Sequence, residues 1–427
     1  KIKNCHIMIP CTKSMQKTSL STDFPVTHEL SRSGFSFQVF DSVENLPIDW
    51  EKASFKSDVF LNRNYLRAVE TAPPKGMRFN YLIFYKDGHP VGRAIFQITR
   101  FSAAESVQAL HHDPAKHSIW WRIGQFFKKM VARWAQFHLL VCGSSLLTGE
   151  YGFDFDESVL SRAEKLALLN EAAEKTCDFY CHHKGMTVRG IFLKDLEGDP
   201  VADHEILDDY KYHKFVFHPS MVFHVRPEWK SFEDYLAAIS SKYRVRAKRA
   251  FKKGKALQKV ELNLESLEIL NADIYRLYKN VASQASFNMV TLSENYFLEL
   301  KRLLKDDFRI FAYYLDDEFV GFYTTIDNGD ELEAHFLGMD GAANRKTQLY
   351  LNMLFDMVRQ VIEAGKERLV LARTAMEIKS SVGAVPEDMV GYIRAKQGLI
   401  NFILPHVLEL LRPKETWVPR QPFKETV

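Results

Sequence analysis

Two periods of apolar residues alternate along the chain. Short apolar or alternating runs bounded by Gly, Asp and Pro predict strands at 35–40, 81–85, 91–101, 139–153 and 187–193. Stretches with the 3.6-residue period predict helices at 50–55, 62–71 and 157–183. The second half repeats this order: a helix at 232–255, helices at 273–283 and 293–304, a hairpin (308–314 and 319–326), a strand at 331–339, a helix at 347–364 and a strand at 368–372. Both hairpins turn on acidic residues, Lys86-Asp87-Gly88-His89 in one half and Leu315-Asp316-Asp317-Glu318 in the other. The repeated order predicts an α/β (α+β) protein of two tandem domains, each a mixed sheet flanked by helices. The expected divisions are a polar leader over 1–34, a first domain over 35–215 and a second over 216–427, with the boundary near 209–224.

Length agrees with this division, since 427 residues give each domain enough chain to bury a core. Hydrophobic residues at 46% and charged residues at 26% exclude disorder. Five cysteines scattered over such a chain make no disulfide framework and fit a reducing compartment. No run reaches the 18 or so apolar residues of a membrane span, and 1–15 lacks the apolar core of a secretory signal. An integral helical membrane protein, a fibre and a secreted disulfide scaffold are thereby excluded. With a net charge of only +3, any electrostatic signal has to be local.

Three segments carry local signals. Residues 116–137, inserted between two strands, place Trp120, Ile123, Phe127, Met130, Val131 and Trp134 on one helical stripe. Trp121 lies beside it, and Lys116, Arg122, Lys128, Lys129 and Arg133 supply basic residues to its borders and opposite side. Trp120, Trp121, Phe127 and Trp134 are the candidate contacts with an anionic membrane surface; the alternative is a core-packed helix with a wet basic side. Residues 392–411 form a second apolar helix candidate, interrupted by Pro405, in the C-terminal part of the second domain. Residues 242–255 hold eight Lys or Arg in fourteen positions, distributed around the helix with only Tyr243 and Phe251 between them. That arrangement suits a solvated helix, or one meeting lipid phosphates or an acidic carrier protein, better than a base-stacking nucleic-acid platform. Cys177, Cys181, His182 and His183 fall in one helix without a second ligand pair, so no metal is expected.

The segment 231–260, the hairpin–strand–helix run 308–364 and the stretch LARTAMEIKSSVGAVP (371–386) together resemble the GNAT superfamily of acyl-CoA N-acyltransferases. More narrowly, they resemble its two-domain Fem-like branch, which includes the peptidoglycan aminoacyltransferases. The resemblance implies two tandem GNAT-like domains and an acyl-thioester co-substrate, acyl-CoA or an acylated carrier protein. It also implies that thioester and acceptor amine meet beside the strand preceding the pyrophosphate helix. In that strand, alternation puts Glu331, Glu333 and His335 on one face and Leu332, Ala334 and Phe336 on the other. Glu333 and His335 are the candidate catalytic acid/base pair; a solvated strand face is the alternative. The turn where the family holds the CoA pyrophosphate is here Asp340-Gly341-Ala342-Ala343-Asn344-Arg345-Lys346. It departs from the family pattern, but Gly341, Ala342, Asn344, Arg345 and Lys346 retain helix-start amides and cations for an anion. Arg373 is the expected clamp for an acceptor's anionic group, with Glu377 orienting the amine and Lys379 beside it; an exposed salt-bridge cluster is the alternative. Glu150, between two glycines at a strand end, is a candidate for facing the interdomain cleft, or else an ordinary turn residue.

These expectations combine into a cytoplasmic enzyme, peripheral at the inner membrane face. It would transfer a fatty acyl group from an acyl thioester (CoA or acyl carrier protein) to the amine of a lipid-like acceptor such as a bacterial sphingoid or sulfonolipid base. Two alternatives stand beside it: an aminoacyl-tRNA-dependent transferase of peptidoglycan precursor synthesis, and a non-catalytic anion- or nucleic-acid-binding module on a GNAT scaffold.

Overall fold

A computed structural model describes residues 24–102, 136–216, 218–284, 290–411 and 417–424. Their strands form two sheets. The first runs, in spatial order, β1 (Val26–Glu29), β2 (Phe35–Phe40), β3 (Met77–Lys86), β4 (His89–Ser102), β5 (Gln136–Cys142), β7 (Val188–Leu196), β16 (Val390–Ala395) and β8 (His213–Val216), with β6 (Phe153–Phe155) against β4. The second runs β10 (Leu257–Glu261), β11 (Phe308–Leu315), β12 (Glu318–Asn328), β13 (Glu331–Met339), β14 (Arg368–Val370), β9 (Ser220–His224) and β15 (Val385–Glu387).

From β2 to β8 and from β10 to β15 the two orders correspond strand for strand, while β1 and β6 have no counterpart in the second sheet. The hairpins β3–β4 and β11–β12 occupy equivalent places, each closed by two residues of positive φ: Asp87 and Gly88, or Asp316 and Asp317. Asp tolerates this left-handed region, which is why both turns accept it. Each hairpin pairs antiparallel with a following strand, β5 or β13, and that strand pairs parallel with the next, β7 or β14. The expected pair of mixed sheets flanked by helices is therefore present.

The connectivity holds a departure. The antiparallel strand beside β7 is β16, from the end of the chain, whereas the one beside β14 is β9, from the segment joining the halves. Residues 392–411, expected as one helix, instead continue β16 and then form helix Gly398–Leu411, packed with the first sheet. Helix 232–255 is likewise divided into Phe232–Ala238 and Ser241–Lys253, because Ile239 turns extended and bridges to Phe423. Region 139–153 is β5 followed by a loop, and part of the polar leader supplies edge strand β1.

Three large cores result. One face of the first sheet packs on helix Arg162–His183, and one face of the second on helix Leu349–Glu363. The third core is shared. Residues of the first half such as Trp50, Phe60, Tyr65 and Tyr81 lie in one cluster with Leu277, Tyr278, Tyr296, Phe297 and Phe322 of the second. This continuous apolar contact holds the lobes against each other.

Candidate active site

The second sheet forks at Glu333. β13 pairs with β12 along most of its length, but with β14 only at Glu331, Glu333 and the residue between them, opposite Arg368–Val370. After Val370 the chain is drawn toward β9: Leu371 N donates to Met221 O, and Met221 N donates to Ala372 O. Ala372 and Ala375 then take positive φ and lead into helix Met376–Ser380. Beyond Glu333, the β13 edge that faced β14 has no strand beside it among the described residues. The first sheet does not fork there, since β5 pairs with β7 from His138 to Cys142.

A bulge shapes the open arm. Thr325 faces Ala334 and Tyr323 faces Leu337, so Thr324 stands opposite both His335 and Phe336. The Thr324 hydroxyl accepts from Phe336 N at 2.9 Å and donates to Phe336 O at 2.9 Å, satisfying the peptide groups that the bulge detaches. The extra residue also corrects the expected alternation. Phe336, assigned to the face opposite His335, meets Tyr278, Tyr296 and the His335 ring itself.

Glu333 and His335 are both buried, not on a solvated face. Glu333 is 2% exposed, and its Oε2 has no hydrogen-bond partner. Burial, with the charge of Glu331, raises its pKa well above the carboxylate range, while Lys379 and Lys194 pull it back. Lys379 is buried where β14 ends, donating to the Leu371 and Ala372 carbonyls. Burial pushes its ammonium down to about 7, and Glu333 opposes that shift. Lys194 reaches in from β7 of the other lobe, donating to Leu147 O at 2.7 Å and pairing with Asp195; burial pushes it down to about 8. At the closed end of the fork the buried Glu333 carboxyl thus feels the charge of two buried lysines, one from each lobe.

His335 plays a different part. Its Nε2 is hydrogen-bonded to the Tyr296 hydroxyl at 2.8 Å, and its ring stacks on Tyr296. Burial pushes its pKa down to about 3, so the imidazole is neutral. It is a packed member of the aromatic face rather than a matched proton acceptor.

The remaining predicted residues scatter. Arg373, expected to clamp an acceptor, is ion-paired with Asp195 of the first lobe. Glu377 lies on the surface, paired with Arg420. Glu150 pairs with Arg162 at 3.0 Å and accepts from Glu197 N at 2.9 Å, so it braces the first lobe. Its neighbour Tyr151 crosses to the second lobe, donating to Glu331 at 3.2 Å. At helix Gly341–Thr347 the amide of Ala343 is taken by the Asp340 carboxylate at 2.7 Å. Asn344 accepts from Tyr350 N, and Lys346 pairs with Asp316. A pyrophosphate at Gly341 and Ala342 would therefore meet a carboxylate, with Arg345 as a nearby cation. Trp120, Trp121, Phe127 and Trp134 lie outside the described residues.

Sequence reasoning passed over Lys194, Asp195, Tyr151 and Tyr296. One signal was legible: Lys-Asp inside the apolar run VRGIFLKDL of β7 is a charged pair where a core strand should be apolar.

Residues 241–380, from the basic helix through the fork to Lys379, match the family described as the acetyltransferase (GNAT) domain. Several solved structures are similar to the chain at low identity. FemX is 12% identical over 83% of this chain and 96% of its own, with a TM-score of 0.49. A tandem GNAT protein from the clavulanic acid biosynthesis pathway is 10% identical over 78% and 88%, with a TM-score of 0.44. L-PGS from Bacillus licheniformis is 12% identical over 86% and 96%, with a TM-score of 0.42. No curated protein sequence matches the chain.

Proposed function

We propose that this protein, whose residues 241–380 match the acetyltransferase (GNAT) domain family, is an N-acyltransferase that joins a fatty acyl group to the amine of a lipid-like acceptor at the fork of the second sheet. The observation that carries the site is the unpaired edge of β13 leading to the buried Glu333 and Lys379. An acyl thioester laid along that edge can hydrogen-bond to it as a strand would. The acceptor's neutral nitrogen attacks the thioester carbonyl, and backbone N–H groups of the open edge face the developing oxyanion. Collapse forms the amide and expels the thiolate. Glu333 takes the proton the nitrogen loses, and Lys379 balances the charge on its carboxylate.

Asp340 supports a thioester delivered on an acyl carrier protein over one on CoA, because its carboxylate occupies the helix-start amide a pyrophosphate would use. A bacterial sphingoid or sulfonolipid base is the acceptor class we favour: it carries a free amine and a chain collected from a membrane. The aromatic and basic segment 116–137 supports this choice. The test is N-acylation of long-chain amines with acyl-CoA and acylated carrier protein as donors. Product with either donor, lost in Glu333→Gln, is expected. Absence of product with every long-chain amine would overturn the acceptor assignment.

The exposed cations of helix Ser241–Lys253 favour a second reading, transfer from an aminoacyl-tRNA to a peptidoglycan precursor. Activity abolished by ribonuclease would select it.

A further inference from the structure

The outer side of helix Gly398–Leu411 is mostly apolar. Leu404 and Leu408 turn inward, and Leu399, Ile400, Phe402, Ile403 and Val407 all stand exposed on the outer side, Leu399 at 75% and Phe402 at 77%. At 3.6 residues per turn these five fill one arc, with His406 among them. A helix apolar on both sides is stable only where something other than water covers it.

Strand register places this helix at one end of the first sheet. Ala395, just before it, pairs with Gly190 at the start of β7; His138, at the start of β5, pairs with Val188; and Ser102 pairs with Gln136. The chain between Ser102 and Gln136, which includes the Trp, Phe, Lys and Arg residues of 116–137, therefore leaves and re-enters the sheet at this same end. So do the exposed cations Lys184, Arg189 and Lys211, with Lys214 one strand step away. Between the helix and β8 lies an open cavity of about 490 Å³, lined among others by His204, His213, Lys214, Phe215 and Leu408. Among the acidic groups at this end, Glu174 and Asp178 pair with Arg394 and Lys396, and Asp208 and Asp209 are exposed.

We propose that helix Gly398–Leu411 is a membrane-docking element that lays its outer arc into an anionic bilayer, with Arg189, Lys211 and Lys214 meeting the lipid phosphates. Charge complementarity selects this occupant: an apolar arc at the same end of the sheet as these exposed cations matches the interface of an anionic leaflet. The proposal deepens the lipid-acceptor reading above and rests on it only for its purpose. From Val188 at the docking end to Asp195 at the fork, β7 spans seven residue steps, roughly 23 Å at about 3.3 Å each. The helix thus holds the enzyme at the membrane without touching the reacting atoms.

The test is sedimentation of the full chain with phosphatidylcholine vesicles, with and without phosphatidylglycerol. Wild type should bind the anionic vesicles more tightly. Phe402→Asp and Leu399→Asp should each lower partitioning about tenfold or more, and Lys211→Glu with Lys214→Glu should remove the preference for phosphatidylglycerol. Acylation of a detergent-dispersed amine by these variants should stay at the wild-type level, so loss of docking and loss of the acyltransferase reading register in different assays. Three results would overturn the proposal: wild type that ignores both vesicles, aspartate variants that bind as wild type does, or a wild-type dimer that Phe402→Asp converts to monomer, which would make a second copy the occupant.

Discussion

Arg373, at the end of β14, forms an ion pair with Asp195, at the corresponding end of β7, so the parallel strands of the two lobes are tied where both leave their sheets. Asp195 and Ala372, which precedes the arginine, both adopt positive φ, so each chain turns sharply at this joint. Asp195 is fully buried, and although burial works to raise its pKa, Lys194 and Arg373 hold it below the usual value. Arg373→Ala leaves that carboxylate with only Lys194 and the Gly149 amide as partners. It should cost about 3 kcal/mol, since removing one member of a buried pair strands the other. Chemical denaturation followed by tryptophan fluorescence measures this. Turnover should fall as well, because the fork loses the anchor of its β14 arm.

The pH dependence of catalysis separates the roles of Glu333 and Lys379. Glu333 must be ionised to accept a proton, and its raised pKa moves the acid limb of kcat/KM above the ordinary carboxylate range. Lys379 pulls that pKa down, so Lys379→Met should move the limb to still higher pH and leave an enzyme that recovers in alkali. Glu333→Gln should lower turnover by about 10²-fold or more at every pH and abolish the limb. If Lys379→Met merely scaled the profile without shifting it, the lysine would not be acting through Glu333.

For His335 the expectation is different. In the folded protein its imidazole stays unprotonated down to about 3, whereas the same group in an unfolded chain takes up a proton below about 6.5. Unfolding therefore binds a proton between those values, and stability must fall as the pH drops, by up to about 1.4 kcal/mol per unit from this group. His335→Phe should lower stability at neutral pH by about 1–3 kcal/mol, through the unpaired Tyr296 hydroxyl, yet flatten the acid slope. Urea denaturation at pH 7 and about pH 5 reads both effects. The acid limb of kcat/KM should keep its position.

Local chemistry explains which features could be read from sequence. The hairpins announced themselves because Asp-Gly and Asp-Asp between apolar runs meet the demand of a two-residue turn. Glu333 and His335 were placed on one face because strand period is a local property. The exchange of β9 and β16 left no such trace: SMVFH and VGYIRA are similar short apolar runs, and their sheet membership depends on partners far along the chain. The partners of Arg373 and Glu377 are hidden for the same reason. A charged run does not disclose that Asp195 or Arg420 will reach it after folding.

Gly338 tests how tightly the helix layer is seated on β13. A Cβ placed there would lie 2.5 Å from the backbone of both Leu277 and Tyr278, in helix Leu264–Ala282. Neither atom belongs to a flexible side chain that could move aside. Gly338→Ala should therefore displace the helix and cost about 1–3 kcal/mol, with a lower thermal midpoint. Because Tyr278 also packs on Phe336, the variant should disturb the open arm of the fork and raise KM for the thioester.

Asp340 tests the proposed preference between donors. Its carboxylate caps Ala343 N and places negative charge where a CoA pyrophosphate would otherwise find a helix start. Asp340→Asn keeps a capping oxygen, so stability should change by less than about 1 kcal/mol, but the repelling charge is gone. KM for acyl-CoA should then fall several-fold while KM for an acylated carrier protein stays the same, because an arm without a terminal pyrophosphate does not meet this residue. Comparing the two donors in steady-state assays of wild type and Asp340→Asn gives the answer. Equal improvement with both would mean that the carboxylate opposes the thioester arm itself, and equal indifference that the donor's phosphates bind elsewhere on the second lobe.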